Sequence, residues 1–157
     1  MKKANQNTIA WEDDVSPKGK FAVTVKNLTR ATGGPKDTGP WGGGHPFDVE
    51  LVRVPPGKTN WPLHAHAAQW EAYIVVSGRG HARTESGSER IEAGDYVVHP
   101  PGEAHQFIND GSEDLVYYVI ADNPRADVIY YPDSQKYFAK PQRKMFVREV
   151  DYFEGEE

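Results

Sequence analysis

Glycine and proline decide first what this chain can become. Fifteen glycines and twelve prolines are spread along 157 residues, and the pieces between them alternate rather than repeat every three to four places. FAVTVKNL (21–28) sets Phe21, Val23 and Val25 against small or polar neighbours, and FDVELVRV (47–54) sets Phe47, Val49 and Leu51 on one face. Side chains two apart on a strand share a face, so both segments read as strands. EAYIVVSG, HARTES, SERIEAG, DYVVHP, HQFIND and LVYYVIAD follow, separated by turns at the spacing of an all-β barrel or sandwich. No segment from 20 to 122 carries a 3.6-residue apolar period. Residues 1–20 read as a polar, loosely attached segment. TRATGGPKDTGPWGGGHP (29–46) reads as a loop too broken for regular structure, and 123–157 as an aromatic-bearing tail that packs on something.

Composition narrows the function. The length suits one domain, 1–157, with a sizeable core. A net charge of -5 and scattered Lys and Arg leave no basic stripe for nucleic acid. The absence of cysteine excludes disulfides and thiolate metal sites. No apolar run approaches the roughly 18 residues of a spanning helix, so no membrane partner is expected. MKKANQNTIA lacks an apolar h-region, so no signal peptide is read and a cytoplasmic protein is expected.

One stretch demands chemistry. LHAHAAQWEAYIVVSGRG (63–80) places His64 and His66 on one face of a strand and then puts Glu71 in phase with Tyr73 and Val75. If that face is the interior, a carboxylate enters beside two imidazoles, which is costly unless it is paired or bound to a metal. HPPGEAHQFIN adds His105 in phase with Phe107 and Asn109. Three imidazoles and a carboxylate suit Zn, Mn, Fe, Co, Ni or Cu better than Ca or Mg. An isolated H-x-H is a weak signal, and ordinary satisfied core histidines are the bland alternative. Gln69 takes the place of Glu71 if the chain bulges. Asn109 reads as a turn residue, and Trp61, Trp70 and Phe107 as packing. His81 and Arg83 read as an exposed outer face, and His45 as a loop residue. His99, before Pro100, reads as a strand-end surface residue; at a barrel mouth it becomes a candidate acid/base, as does Tyr73 on the pocket wall.

The whole spacing is more specific. Gly57-x6-His64-x-His66-x4-Glu71-x6-Gly78 and Gly94-x5-Pro100-x-Gly102-x2-His105-x3-Asn109, joined by 15 residues, resemble the two motifs of the cupin superfamily. The second matches at every defining position, and the first departs by one residue between Gly57 and His64. The resemblance implies a double-stranded β-helix, or jelly-roll barrel, with its core about 47–122 and arms at 1–46 and 123–157. It makes His64, His66, Glu71 and His105 the ligands of one divalent transition metal ion. Small cupins of this kind are often named, by inference, as sugar-phosphate isomerases. The expected function is therefore a mononuclear metal enzyme acting on a small oxygen-rich ligand, isomerase-like. The alternatives are a dioxygenase with a redox metal and a non-catalytic binding module, since a fold hosts many chemistries. A phosphate would need a cation beside the metal, with Arg53, Arg79 and Arg83 as candidates. The apolar arms, with Tyr130, Tyr131, Phe146 and Tyr152 among them, point to a homodimer in which an arm packs on the partner barrel.

Overall fold

The computed structural model describes residues 1–147 and 149–156. Its strands are β1 (Glu12–Val15), β2 (Ala22–Asn27), β3 (Phe47–Val54), β4 (Ala65–His66), β5 (Glu71–Ser77), β6 (Arg79–Thr84) and β7 (Gly87–Glu92). They continue with β8 (Tyr96–His99), β9 (Gln106–Ile108), β10 (Leu115–Asp122), β11 (Asp127–Tyr131), β12 (Lys136–Lys140) and β13 (Lys144–Phe146). One wall is a six-stranded sheet in the order β1-β2-β3-β10-β5-β8. The rest consists of β7-β6-β9 and of β13-β12-β11-β4, tied to each other where His64 bridges His105. All named pairings are antiparallel, as the short turns require. No described helix is long and apolar enough to cross a membrane.

Registry stacks the interior in layers. β10 pairs Leu115 with Val54, then Tyr117 with Val52 and Val75, then Val119 with Glu50 and Tyr73, and last Ala121 with Asp48 and Glu71. The first layers close on Phe107, Ile91, Ala82 and Val23, all buried. Each large apolar side chain so enclosed contributes about 1.5–3 kcal/mol. Gly78 makes the β5–β6 turn at φ 78°, with the Asp114 carbonyl standing where a Cβ would sit. Asn109, fully buried, fastens the next turn. Its amide donates to the carbonyls of Val54 (2.7 Å) and Glu113 (2.8 Å), and its Oδ1 accepts from Gly111 N–H (2.9 Å).

Three readings of the sequence need correction. In β3 the inward set is Asp48, Glu50, Val52 and Val54, while Phe47 is exposed. Leu51 is buried on the other face beside Tyr118, whose hydroxyl reaches Gln6. Apolar alternation mispredicted this strand because its carboxylates have partners inside. Asn27 donates to Glu50 Oε1 at 2.6 Å and Lys36 Nζ reaches it at 2.8 Å. Asp37 N–H donates to Asp48 Oδ2 at 2.7 Å. Residues 1–20 are also not loose: β1 pairs with β2, and Lys26 donates to the Gln6 carbonyl at 2.7 Å. The glycine-rich segment is entered by a helical turn, Leu28–Ala31, capped by the Asn27 side chain, and contains a 3-10 turn, Pro40–Gly42. That segment delivers Lys36 and Asp37 to the barrel interior.

Candidate metal centre and its cavity

β4 is only two residues long, and it is placed by pairing with β11 (Ile129↔His66, Tyr130↔Ala65). Strand alternation then turns Ala65 into a small cluster with Leu63 and Ala104 and turns both imidazoles toward the cavity. Each ring is held by its Nδ1. His64 Nδ1–H donates to the Pro62 carbonyl (2.8 Å), and His66 Nδ1–H donates to Asp127 Oδ2 (2.6 Å). Asp127 is buried and is itself fixed by Ala68 N–H on Oδ1 (2.8 Å). These bonds leave Nε2 of each ring as the lone-pair nitrogen, the tautomer a metal ligand needs. Nε2 of His66 is buried with no hydrogen-bond partner. Burial, and then the neighbouring His105, push the His64 imidazole down to about 3, so it stays neutral through mild acid.

Glu71 opens β5 and faces the two rings. Its Oε2 accepts from the Tyr73 hydroxyl (2.6 Å) and lies 2.7 Å from His105 Nε2. Its Oε1 lies 3.7 Å from His66 Nε2. Burial pushes this carboxyl up, but the His105 hydrogen bond and the electrostatic pull of the neighbouring imidazoles hold it well below the usual range. His64, His66 and Glu71 each offer a donor atom, all within 4.8 Å of one another. His105 stands against them, its ring 4.6 Å from that of His64. Its Nδ1 faces the Glu103 carbonyl at 3.1 Å, so oxygens face both ring nitrogens. One N–H on Nδ1 meets the carbonyl and leaves Nε2 as the atom that would serve a metal beside the carboxylate. The donor set of imidazole nitrogens with one carboxylate fits a borderline transition metal.

Residues 50–121 match the family model of the cupin domain. That stretch is a cupin domain. A crystal structure from Acidithiobacillus ferrooxidans with the name "Putative sugar phosphate isomerase" superposes with a TM-score of 0.76 at 26% identity, covering 92% of each chain. A sugar phosphate isomerase of the cupin superfamily from Silicibacter pomeroyi gives 0.75 at 23% identity over 96% of this chain and 94% of that one, a likeness of fold. The oxalate-binding protein of Thermotoga maritima is 30% identical over 69 residues, 44% of this chain and 56% of that protein. The chain thus matches little more than half the length of that relative.

A cavity of about 440 Å³ opens onto His64, His66 and Glu71. Its wall is more charged than the motif suggests. Asp48 and Glu50 come from β3, Lys36 and Asp37 from the glycine-rich segment, and Lys136 and Lys140 from β12. Asp48 keeps Oδ1 buried and unpartnered. None of these residues stands in the motifs, which is why they were missed; the buried carboxylates of a supposedly apolar-alternating strand were the available signal. The arginines do not reach the cavity. Arg53 lies over Trp11 and beside Asp114 (3.7 Å), and Arg83 makes two 2.8 Å bonds to Asp133. Arg79 borders a separate cleft.

The remaining candidates fall into place around the centre. Trp61 lines the cavity, and Trp70 is exposed. Gln69 also lines it, with its amide given to the Asp122 carbonyl. His81 pairs with Asp110 (3.0 Å) on the outer face, and His45 stays in its loop, its carbonyl bound by Asn123. Tyr73 is buried beneath Glu71, and burial together with that charge holds its hydroxyl protonated well above the usual range. His99 is not a surface residue. It is buried, stacked on His105 at 4.2 Å, with Nδ1 at 2.5 Å from Glu103 Oε1. Neither Tyr73 nor His99 lines the cavity.

Proposed function

We propose that this cupin binds one divalent transition metal through His64, His66, Glu71 and His105 and acts on a small oxygen-rich molecule in the cavity, in the manner of a sugar-phosphate isomerase. The observation that carries the reading is the buried, unpartnered Nε2 of His66, aimed at the carboxylate of Glu71 from a ring already fixed by Asp127. A bound ion would supply Lewis-acid polarisation of a carbonyl or hydroxyl oxygen. The chain supplies the rest. Trp61, Ile129 and Tyr131 give the cavity apolar surface that excludes water, while Asp48 and Glu50 line it with carboxylates. Glu50 gives Oε1 to both Asn27 and Lys36, leaving Oε2 as the oxygen that can take a proton from ligand carbon and return it to a neighbouring one. Tyr73 and His99 support the centre from behind rather than touch the ligand.

Elemental analysis of protein purified without added metal, followed by NMR of sugar phosphates with the metal-loaded and metal-free forms, tests this. Interconversion of isomers by the loaded form alone is expected. Oxygen uptake with an iron- or copper-loaded form would replace isomerisation by a dioxygenase activity. Ligands that bind unchanged with every metal would leave a binding module.

We propose further that the chain is a homodimer, with a different surface from the arms in contact. The arms pair with their own barrel, β2 on β3 and β11 on β4, whereas Ile74, Val76, Tyr96 and Val98 form an exposed apolar face on β5 and β8. Sedimentation equilibrium of wild type and a Tyr96→Lys variant tests it, with a monomeric wild type counting against it.

A further inference from the structure

We propose that Lys136 receives an anionic group of the ligand held in the metal cavity, and so selects a phosphorylated or carboxylated molecule over its neutral counterpart. The assignment rests on the reading of this cavity as the ligand site.

Three lysines line the cavity, and two of them are already occupied. Lys36 Nζ sits 2.8 Å from Glu50 Oε1, and Lys140 Nζ sits 3.1 Å from Asp37 Oδ1. To take up an anion, either would have to give up a part-buried ion pair, which leaves a carboxylate behind without compensation. Among the described residues no carboxylate pairs with Lys136. Its Nζ lies over the ring of Tyr131, 4.9 Å from the centroid. A ring face steadies the cation but takes none of its hydrogen-bond donors in the way a carboxylate does. An arriving oxyanion therefore breaks nothing.

The position is equally particular. Tyr131 and Lys136 are direct cross-strand partners of β11 and β12, and strand alternation puts Lys136 on the same face as Lys140, toward the cavity. The Tyr131 ring in turn stacks beside His64, centroids 6.0 Å apart. One aromatic ring separates the ammonium from a proposed metal ligand, a span that suits a ligand with its reacting oxygens at one end and its charge at the other. The backbone before Lys136 is clamped, because Asp133 in the β11–β12 turn accepts both bonds from Arg83 on β6.

Charge points the same way. The cavity wall holds Lys36, Lys136 and Lys140 against Asp37, Asp48, Glu50 and Glu71, three positive charges against four negative. That balance of minus one becomes plus one when a divalent ion binds. The loaded cavity then favours an anion, and the one lysine without a carboxylate is where it lands.

Isothermal titration of metal-loaded wild type, Lys136→Met and Lys136→Arg separates the possibilities, with a ketohexose 6-phosphate, a six-carbon sugar acid and the free ketohexose as probes. Wild type should bind at least one anionic probe more tightly than the free sugar, and whichever anion gains identifies phosphate or carboxylate as the source. Lys136→Met should weaken that anion by about tenfold or more, the loss of one charged hydrogen-bond donor. It should leave free-sugar binding and metal stoichiometry unchanged, and Lys136→Arg should keep most of the preference. Equal binding of the anion by wild type and Lys136→Met, or no preference for anions in wild type, overturns the role of Lys136 alone. Failure of loaded wild type to bind any probe overturns the reading of the cavity, and this assignment with it.

Discussion

The two ends of the same strands are built on opposite principles. In β3, Val52 and Val54 point into a closed apolar end with Phe107, Tyr117 and Leu115, while two and four residues earlier Glu50 and Asp48 point into the cavity. β5 repeats the change, from Val75 at the closed end to Glu71 at the open one. The closed end is stable through excluded area, with the Tyr117 hydroxyl met by the Asn60 amide at 3.2 Å. The open end must satisfy each buried charge individually, through Asn27, Lys36, Asp37, Asp127 and Tyr73. One end supplies the stability, and the other can then be polar enough for chemistry.

If the division is real, substitutions at the two ends should separate stability from metal binding. The largest effect belongs to the closed end. Phe107→Ala should cost about 3–5 kcal/mol by transfer and cavity formation. A urea unfolding midpoint reads this, and metal affinity of the protein still folded should stay near wild type. Loss of metal affinity in proportion to stability would erase the division. At the open end, alanine at His64, His66, Glu71 or His105 should lower metal affinity by orders of magnitude and leave the β signature in circular dichroism. Mass-spectrometric stoichiometry at neutral pH decides, and a full complement of metal in all four would remove the centre.

The next effect is smaller and sharpens the comparison. Asp127→Asn keeps the shape beside His66 but loses the carboxylate that orients its ring, and metal affinity should fall by about 10–100-fold. An unchanged affinity would make Asp127 a fold residue only. The last effect is one of pH. The folded His64 imidazole lies near 3 against 6.5 for a free one. The unfolded chain therefore binds the extra proton across that interval. Stability of the metal-free protein should be full above about pH 6.5 and drain as pH falls toward 3. His99, pushed down by burial, adds in the same direction. Urea midpoints near pH 7 and pH 4.5 measure the slope, which His64→Asn should flatten; a stability that rises on acidification would contradict the buried neutral ring.

The β strands themselves and the grouping of His64, His66 and Glu71 were the readable parts of the sequence. His64 with His66, Glu71 with Tyr73 and Val75, and His105 with Phe107 and Asn109 each fall on one face at period two, and the barrel buries those faces. The rest was obscured because its partners come from far along the chain. Nothing near Glu50 in sequence announces Lys36, and nothing near His66 announces Asp127, 61 residues away. Inverting the face of β3 required those partners first. His99 was misplaced for a related reason: its burial depends on stacking against His105, a contact across strands that a strand-end position does not reveal.

The pairing of β11 with β4 has a consequence for how such proteins diversify. Residues 50–121 contain every proposed ligand, but the outer wall of the cavity lies beyond them, in Ile129, Tyr131, Lys136, Lys140 and Met145 on one side and Lys36 and Asp37 on the other. The proposed metal centre and the proposed selective wall lie on separate stretches of one chain. Two cupins with identical ligands and different tails would share a metal and differ in what they hold against it. Grafting a foreign β11–β12 hairpin onto this barrel should change ligand choice while the ion stays where it is.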